Sequence, residues 1–240
     1  MDDWRFEPAR DVGLTEPQRW RSLRRESGLV STAIHIVWWA FIRTYLALWH
    51  RLRIVGRENL PSRLPFVLVA NHASHLDALV LAAPLPWWLR DRIFPIAAGD
   101  VFFEVPAIAA FAALAVNALP MWRKNCGPQA LRELRKRLAD EPCAYILFPE
   151  GGRSRDGQIR PFKSGLGMLV AGTDVPVVPC HLQGCFAALR AGSKLPRPMP
   201  IELRVGPALC FTNAPNERSG WEEIAATLRK AIDQLRDGRQ

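Results

Sequence analysis

Two stretches of this chain carry residue types that can do chemistry together. Asn71-His72-Ala73-Ser74-His75-Leu76-Asp77 sets an imidazole and a carboxylate close to each other, directly after the apolar run from Phe66 to Ala70. Phe148-Pro149-Glu150-Gly151-Gly152-Arg153-Ser154 sets an acid, two glycines and an arginine after a second run, Ala144 to Phe148. Asp77 can fold back across a loop-to-helix junction and hydrogen-bond one imidazole nitrogen of His72. That contact fixes the tautomer, stabilises the imidazolium and leaves the other nitrogen to take a proton. The Glu150-Gly151-Gly152-Arg153 turn lets backbone approach a ligand closely, because glycine has no Cβ to block it. Arg153 can grip a phosphate through two parallel hydrogen bonds, which lysine does less well. Arg155, Arg160 and Lys163 add positive charge nearby, and Arg123 is a second candidate for the same anion. The chemistry these residues offer is a general base beside an anion clamp.

Other readings fit the same residues. His72 can be a satisfied histidine at a helix start with Asp77 an exposed first-turn acid, and the 150–153 turn can be a surface hairpin with solvated charge. A metal site around His72, His75 and Asp77 wants further ligands, and only His35, His50 and His181 remain among the histidines. Cysteines and carboxylates can contribute, but no metal is expected. Ser74 as a nucleophile lacks the G-x-S-x-G elbow that exposes such a serine on a strained turn. His75 reads as solvent-facing or as a local hydrogen-bond partner.

The elements that must position these groups follow from periodicity. Short apolar runs predict strands over 52–55, 66–70, 93–97, 116–121, 144–148, 177–180 and 201–205. Helical periodicity predicts helices over 76–89, 106–115, 127–139, 164–173 and 219–236, with Gly127-Pro128 a helix opening. Strands interleaved with helices predict an α/β fold, a single domain with a mixed, largely parallel sheet flanked by helices. His72 then falls at the end of a strand and the start of a helix, where such folds place functional groups.

Residues 1–50 read differently from 51–240, as a basic and apolar helical segment that precedes the catalytic domain. From Leu29 to Trp49 the chain is apolar apart from Ser31, Thr32, His35, Arg43 and Thr44. Its clean part, Leu29 to Ile42, extends only ~21 Å as a helix, short of a ~30 Å hydrocarbon core. On a helical wheel Val30, Ile34, Val37, Phe41 and Leu48 share one side. Ser31, Thr32, His35, Arg43 and His50 share another arc with Trp39. Trp38, Trp39, Tyr45 and Trp49 are residue types that favour the headgroup boundary. The expectation is an amphipathic interfacial helix, with a spanning helix and a core-packing helix as the alternatives.

The formal charge of +9 favours anionic partners. Arg19, Arg21, Arg24 and Arg25 sit just before the apolar segment, where an anionic membrane surface attracts them. No zinc-finger spacing or aromatic ribonucleoprotein motif accompanies the charge, so nucleic acid is not expected as a partner. The acidic, polar start Met1-Asp2-Asp3-Trp4-Arg5 does not read as a secretory signal. Five scattered cysteines without metal spacing suit a reducing compartment. Together these predict membrane association on a cytoplasmic face.

The ordered set of motifs resembles the glycerolipid acyltransferases typified by the 1-acylglycerol-3-phosphate (lysophosphatidate) acyltransferases. Asn71-His72-x4-Asp77 matches their N-H-x4-D motif, and the resemblance implies that His72 and Asp77 are the catalytic pair. Met121-Trp122-Arg123 occupies the place of their second block, whose arginine helps bind the acceptor. Phe148 to Ser154 resembles their F-P-E-G-T-R-S block, with Gly152 in place of the threonine, and Val175-Pro176-Val177-Val178-Pro179 resembles the fourth. The resemblance implies transfer of a fatty acyl group from acyl-CoA or acyl-carrier protein, as co-substrate rather than cofactor, to a lysophospholipid hydroxyl. Glu150, Gly151, Gly152, Arg153, Arg123 and Lys163 are then expected to bind the acceptor's polar head. The alternatives are an acyltransferase for a different polar lipid and a membrane lipid-binding protein without turnover.

Overall fold

The computed structural model describes residues 11, 13–23, 25, 29–121, 128–190, 192–193 and 195–238. Seven strands form one sheet: β1 (Arg53–Val55), β2 (Phe66–Ala70), β3 (Ile93–Ala98), β4 (Leu119–Met121), β5 (Ala144–Leu147), β6 (Val177–Gln183) and β7 (Glu202–Val205). Their order across the sheet is β1-β7-β6-β2-β5-β3-β4. Every neighbouring pair is parallel except β6 and β7, so β1 and β7 run against the other five. The expected α/β class with a mixed, largely parallel sheet is what the chain adopts.

The central strand β2 is buried at all five positions. Phe66, Leu68 and Ala70 enter one apolar cluster while Val67 and Val69 enter another on the opposite face. A strand covered on both faces has no reason to alternate with polar residues, which explains its unbroken apolar run. The first face is covered by helix α2 (Leu29–Leu48), through Ile42 and Leu46, and by α3 (Asp77–Ala82), through Val80 and Leu81. The second is covered by α6 (Pro128–Asp140), α7 (Gly165–Val170) and α9 (Arg218–Arg236), through Leu134, Leu138, Leu169, Ile224, Leu228 and Ile232. Shorter helices complete the order: α1 (Glu16–Trp20), α4 (Gly99–Phe102), α5 (Pro106–Leu114) and α8 (Cys185–Ala188).

Each of the seven expected strands is present, and the differences have local causes. The expected helix over 76–89 stops as α3 at Ala82 and resumes as a 3-10 turn, Trp87–Arg92. Pro84 and Pro86 supply no N–H to an α-helical ladder and disfavour helical backbone before them. The expected strand over 116–121 is shortened to β4 because Asn117 adopts a left-handed backbone, φ 58°. Its buried amide donates to the carbonyls of Arg90, Asp91 and Ile93 and accepts from the Arg25 guanidinium.

Helix α2 forms over the apolar N-terminal segment, but it turns Thr32 and His35 of its polar arc toward the protein while Arg43 stays exposed. His35 is buried, with Nδ1 2.5 Å from Asp91 Oδ1, and Thr32 Oγ1 donates to the other oxygen at 2.6 Å. Desolvation holds His35 below the ordinary histidine range even with Asp91 opposing it. The apolar arc faces outward, with Val37 72%, Phe41 56% and Leu48 77% exposed. Val30 and Ser31 lie outside the described side chains. Among the described residues no helix is long and apolar enough to cross a membrane.

Candidate active site

The carboxyl ends of β2, β5 and β6 lie side by side, and the loops that leave them build the site. In the strand order the connection from β2 leads across β5 to β3, and that from β5 leads back across β2 to β6, so the chain reverses direction at these two strands. Asn71 is the first residue beyond β2. Its side chain replaces one rung of the sheet, donating to the Leu182 carbonyl at 3.0 Å and accepting the Leu182 N–H at 2.8 Å.

The next six residues wrap around one carboxylate oxygen. Asp77 is fully buried, and its Oδ2 accepts the N–H groups of Ala73 (2.7 Å) and Ser74 (2.8 Å) and meets His72 Nδ1 at 2.9 Å. A carboxylate here is an acceptor, so Nδ1 carries the proton and Nε2 keeps its lone pair. Among the described residues nothing hydrogen-bonds Nε2, and the ring is one-fifth exposed. Asp77 Oδ1 is buried with no hydrogen-bond donor placed on it.

The loop after β5 clamps His72 from the other side. Phe148 stacks on the imidazole, with centroids 4.1 Å apart and planes 16° from parallel. The His72 N–H donates to Glu150 Oε1 at 2.7 Å, and its carbonyl accepts the Ser154 N–H at 2.8 Å. Glu150 Oε2 accepts the Arg160 N–H at 3.1 Å, and the Arg160 guanidinium donates to the Gly152 carbonyl. Burial pushes the Glu150 carboxyl above its ordinary range, against the pull of those two N–H groups. Both Glu150 oxygens are therefore taken by the protein's own backbone, and its contribution is to hold the two loops together.

Gly151 has φ +71°, and a Cβ on it would lie 2.5 Å from Lys163 Nζ. The ammonium group thus rests directly over the glycine turn. Arg153 and Lys163 make no side-chain hydrogen bond or ion pair among the described residues. The charge of Arg153 reaches the neighbouring ring: although His75 touches solvent, desolvation and then Arg153 push it below the ordinary histidine range, to about 4. His75 packs edge-on against Phe102 and stays apart from the His72–Asp77 contact.

The structure therefore brings His72, Asp77, Glu150, Gly151, Gly152, Arg153 and Lys163 together in the adjoining loops that follow β2 and β5, while Arg123 lies outside the described residues. Ser74 is fully buried with its hydroxyl donated to the Leu189 carbonyl, which removes it as an exposed nucleophile. Among the described residues no group of three or more histidines, cysteines or acids is disposed to hold a metal ion. Residue-by-residue reading gave no role to Asn71, Phe148 and Ser154, which brace the site. The signal was their position inside the two motifs.

Residues 51–183, more than half of the chain, match the family model described as Acyltransferase. The chain belongs to the acyltransferase family. This acyltransferase is 33% identical over 160 residues to the chloroplastic 1-acyl-sn-glycerol-3-phosphate acyltransferase BAT2 of Brassica napus, a region covering 65% of this chain and 43% of the relative. It is 30% identical over 131 residues to 1-acyl-sn-glycerol-3-phosphate acyltransferase alpha of Mus musculus, covering 54% of this chain and 44% of that one. The chain spans about half the length of the curated relatives it matches. Its fold is shared with the crystal structure of the 1-acyl-sn-glycerophosphate acyltransferase PlsC of Thermotoga maritima. The TM-score is 0.66 at 23% identity, over 86% of this chain and 80% of that one.

Proposed function

We propose that this member of the family is a lysophospholipid O-acyltransferase. It moves a fatty acyl group from a thioester of coenzyme A or acyl-carrier protein to the free hydroxyl of an acceptor such as 1-acylglycerol-3-phosphate. The observation that carries the reading is His72, held through Nδ1 by a buried Asp77, with nothing among the described residues on Nε2, in a motif next to the Gly151 turn over which Lys163 lies. The relatives named as 1-acyl-sn-glycerol-3-phosphate acyltransferases favour that acceptor.

In this mechanism His72 Nε2 takes the proton of the acceptor hydroxyl as its oxygen bonds to the thioester carbonyl carbon. Asp77 Oδ2 stabilises the imidazolium that results. Collapse of the tetrahedral intermediate breaks the carbon–sulfur bond, and the leaving thiolate receives the proton from His72. The thioester is already activated, so no acyl-enzyme and no cofactor are needed. Arg153 and Lys163 hold the acceptor phosphate, and Gly151 keeps the space that Lys163 occupies. Glu150 and Gly152 serve the same pocket through the backbone they fix, and Arg123 is assigned to the acceptor by its place in the chain order.

The lysophospholipid acceptor is a membrane lipid, and residues 1–50 are proposed to bring 51–240 to it. The outward apolar arc of α2 and the exposed Arg21 suit an anionic leaflet on the cytoplasmic side, with the helix lying in the interface rather than crossing it, whereas Arg25, also expected there, is buried against Asn117 and Ala118. The test is thiol release from oleoyl-coenzyme A with and without lysophosphatidate, following the lipid product. Acceptor-dependent release that forms diacyl lipid is expected, falling by ~10²-fold or more in His72→Ala. Full activity in that variant removes His72 as the base, and release without a lipid product excludes lysophosphatidate as the acceptor.

A further inference from the structure

The chain between β6 and β7 turns apolar and basic side chains outward beside the end of α2. Leu195 is 81% and Met199 40% exposed, and Arg190 and Arg197 are exposed with them. No aspartate or glutamate occurs between Gly184 and Ile201, nor between Leu29 and Arg57 in α2 and the residues that follow it. These two stretches meet at His50. Its Nδ1 lies 3.0 Å from the Met199 carbonyl, which can only accept, so the ring donates there and takes the Tyr45 hydroxyl on Nε2 at 3.0 Å. The Ile201 N–H donates to the His50 carbonyl at 3.0 Å. Met199 is thereby fastened to the residue that follows Leu48 and Trp49, which are 77% and 47% exposed, and that precedes the exposed Arg51.

The backbone here differs from that of an ordinary polar loop. Pro196, Pro198 and Pro200 have no N–H. The N–H groups between them are spent inside the chain: Arg197 donates to the Ala188 carbonyl at 2.7 Å and Met199 to the Arg197 carbonyl at 2.8 Å. From Pro196 to Ile201 no backbone N–H is left needing water, which removes a main cost of entering a lipid headgroup region. It also leaves no donor with which a partner strand could pair. Apolar side chains among arginines, without an acid, suit contact with anionic lipid.

We propose that Leu195 to Pro200, with Arg190, is a second contact of this chain with an anionic lipid surface, continuous with the end of α2. Leu195 and Met199 enter the headgroup boundary, and Arg190 and Arg197 meet lipid phosphates. The proposal rests on the reading of α2 as an interfacial helix. It sets the lipid surface close to the catalytic loop, because Leu189, in the same connection, accepts the Ser74 hydroxyl at 3.0 Å.

Vesicle sedimentation of the full chain tests it, with equimolar phosphatidylcholine and phosphatidylglycerol against phosphatidylcholine alone. Leu195→Glu with Met199→Glu should weaken binding to the mixed vesicles by about tenfold or more. Its melting temperature should stay within a few degrees of wild type, since both side chains are exposed. Arg190→Gln with Arg197→Gln should also cost about tenfold or more on the mixed vesicles, each basic residue near an anionic surface being worth about fivefold. Binding of that variant to phosphatidylcholine alone should be unchanged. Val37→Glu with Phe41→Glu separates the proposal from the reading on which it rests. Loss in that variant, with wild-type binding in both variants of the 190–199 segment, overturns the proposal and leaves the interfacial α2 standing. Wild-type binding in all three variants, or no binding by the wild type, overturns both. An arginine variant that loses equally on the two compositions overturns the choice of anionic lipid. A dimer that Leu195→Glu dissociates while vesicle binding persists assigns the surface to a second copy of this chain, and overturns the proposal too.

Discussion

Asp77 and Gly151 show how much of the site is set by single atoms. One carboxylate oxygen organises three hydrogen-bond donors, two of them backbone N–H groups of the loop that carries the imidazole. Misplacing that oxygen would move the imidazole as well as the loop that carries it. Gly151 does two things at once, adopting φ +71° and leaving the space into which Lys163 Nζ projects. Gly151→Ala should therefore cost about 1–2 kcal/mol for the left-handed backbone and displace the ammonium group. The expected kinetic signature is a raised KM for lysophosphatidate with the KM for the thioester unchanged. Steady-state kinetics against each substrate in turn checks this, and an unaltered acceptor KM would separate Lys163 from acceptor binding.

At the scale of elements, the sequence was most legible where one physical signal acted alone. β2 spans 66–70 as expected because an apolar run bounded by Pro65 and Asn71 has one solution when both its faces are covered. β4 and α3 were read too long because side-chain chemistry overrode periodicity: Asn117 turned the chain to satisfy three carbonyls, and two prolines ended a helical pattern. The His72–Asp77 pairing was legible from spacing, whereas the Phe148 stacking and the Glu150 brace were not, since both depend on β2 and β5 being neighbours. Helix α2 was legible as amphipathic, but only the structure shows that His35 and Thr32 face the protein and Val37 and Phe41 face away. Replacing Val37 and Phe41 together by glutamate should leave the melting temperature within a few degrees. It should weaken binding to phosphatidylglycerol-containing vesicles by tenfold or more, each apolar side chain being worth ~1.5–3 kcal/mol when buried. Vesicle sedimentation measures it, and undiminished binding would take α2 out of the interface.

For the molecule as a whole, the sheet couples stability to pH through a buried histidine of β6. His181 on β6 is buried, and its Nδ1 has no hydrogen-bond partner among the described residues. Desolvation, then the charges of Arg204 and Arg236, lower its pKa to about 4. The unfolded chain binds that proton from about pH 6.5 downward and the folded chain does not, so stability should fall as pH drops from 6.5 toward 4. The loss attributable to His181 is roughly 3 kcal/mol when the interval is crossed in full. Urea unfolding of His181→Gln at pH 7 and pH 5 should show a flatter dependence than the wild type, and an identical slope would assign the acid sensitivity elsewhere. The outward apolar face of α2 bears on how such a molecule meets its substrate. A catalyst resting on a lipid surface searches in two dimensions, so its rate should follow the mole fraction of acceptor in the surface and not the acceptor's bulk concentration. Diluting lysophosphatidate with inert lipid at constant total acceptor would then slow the enzyme, although no molecule of substrate had been removed.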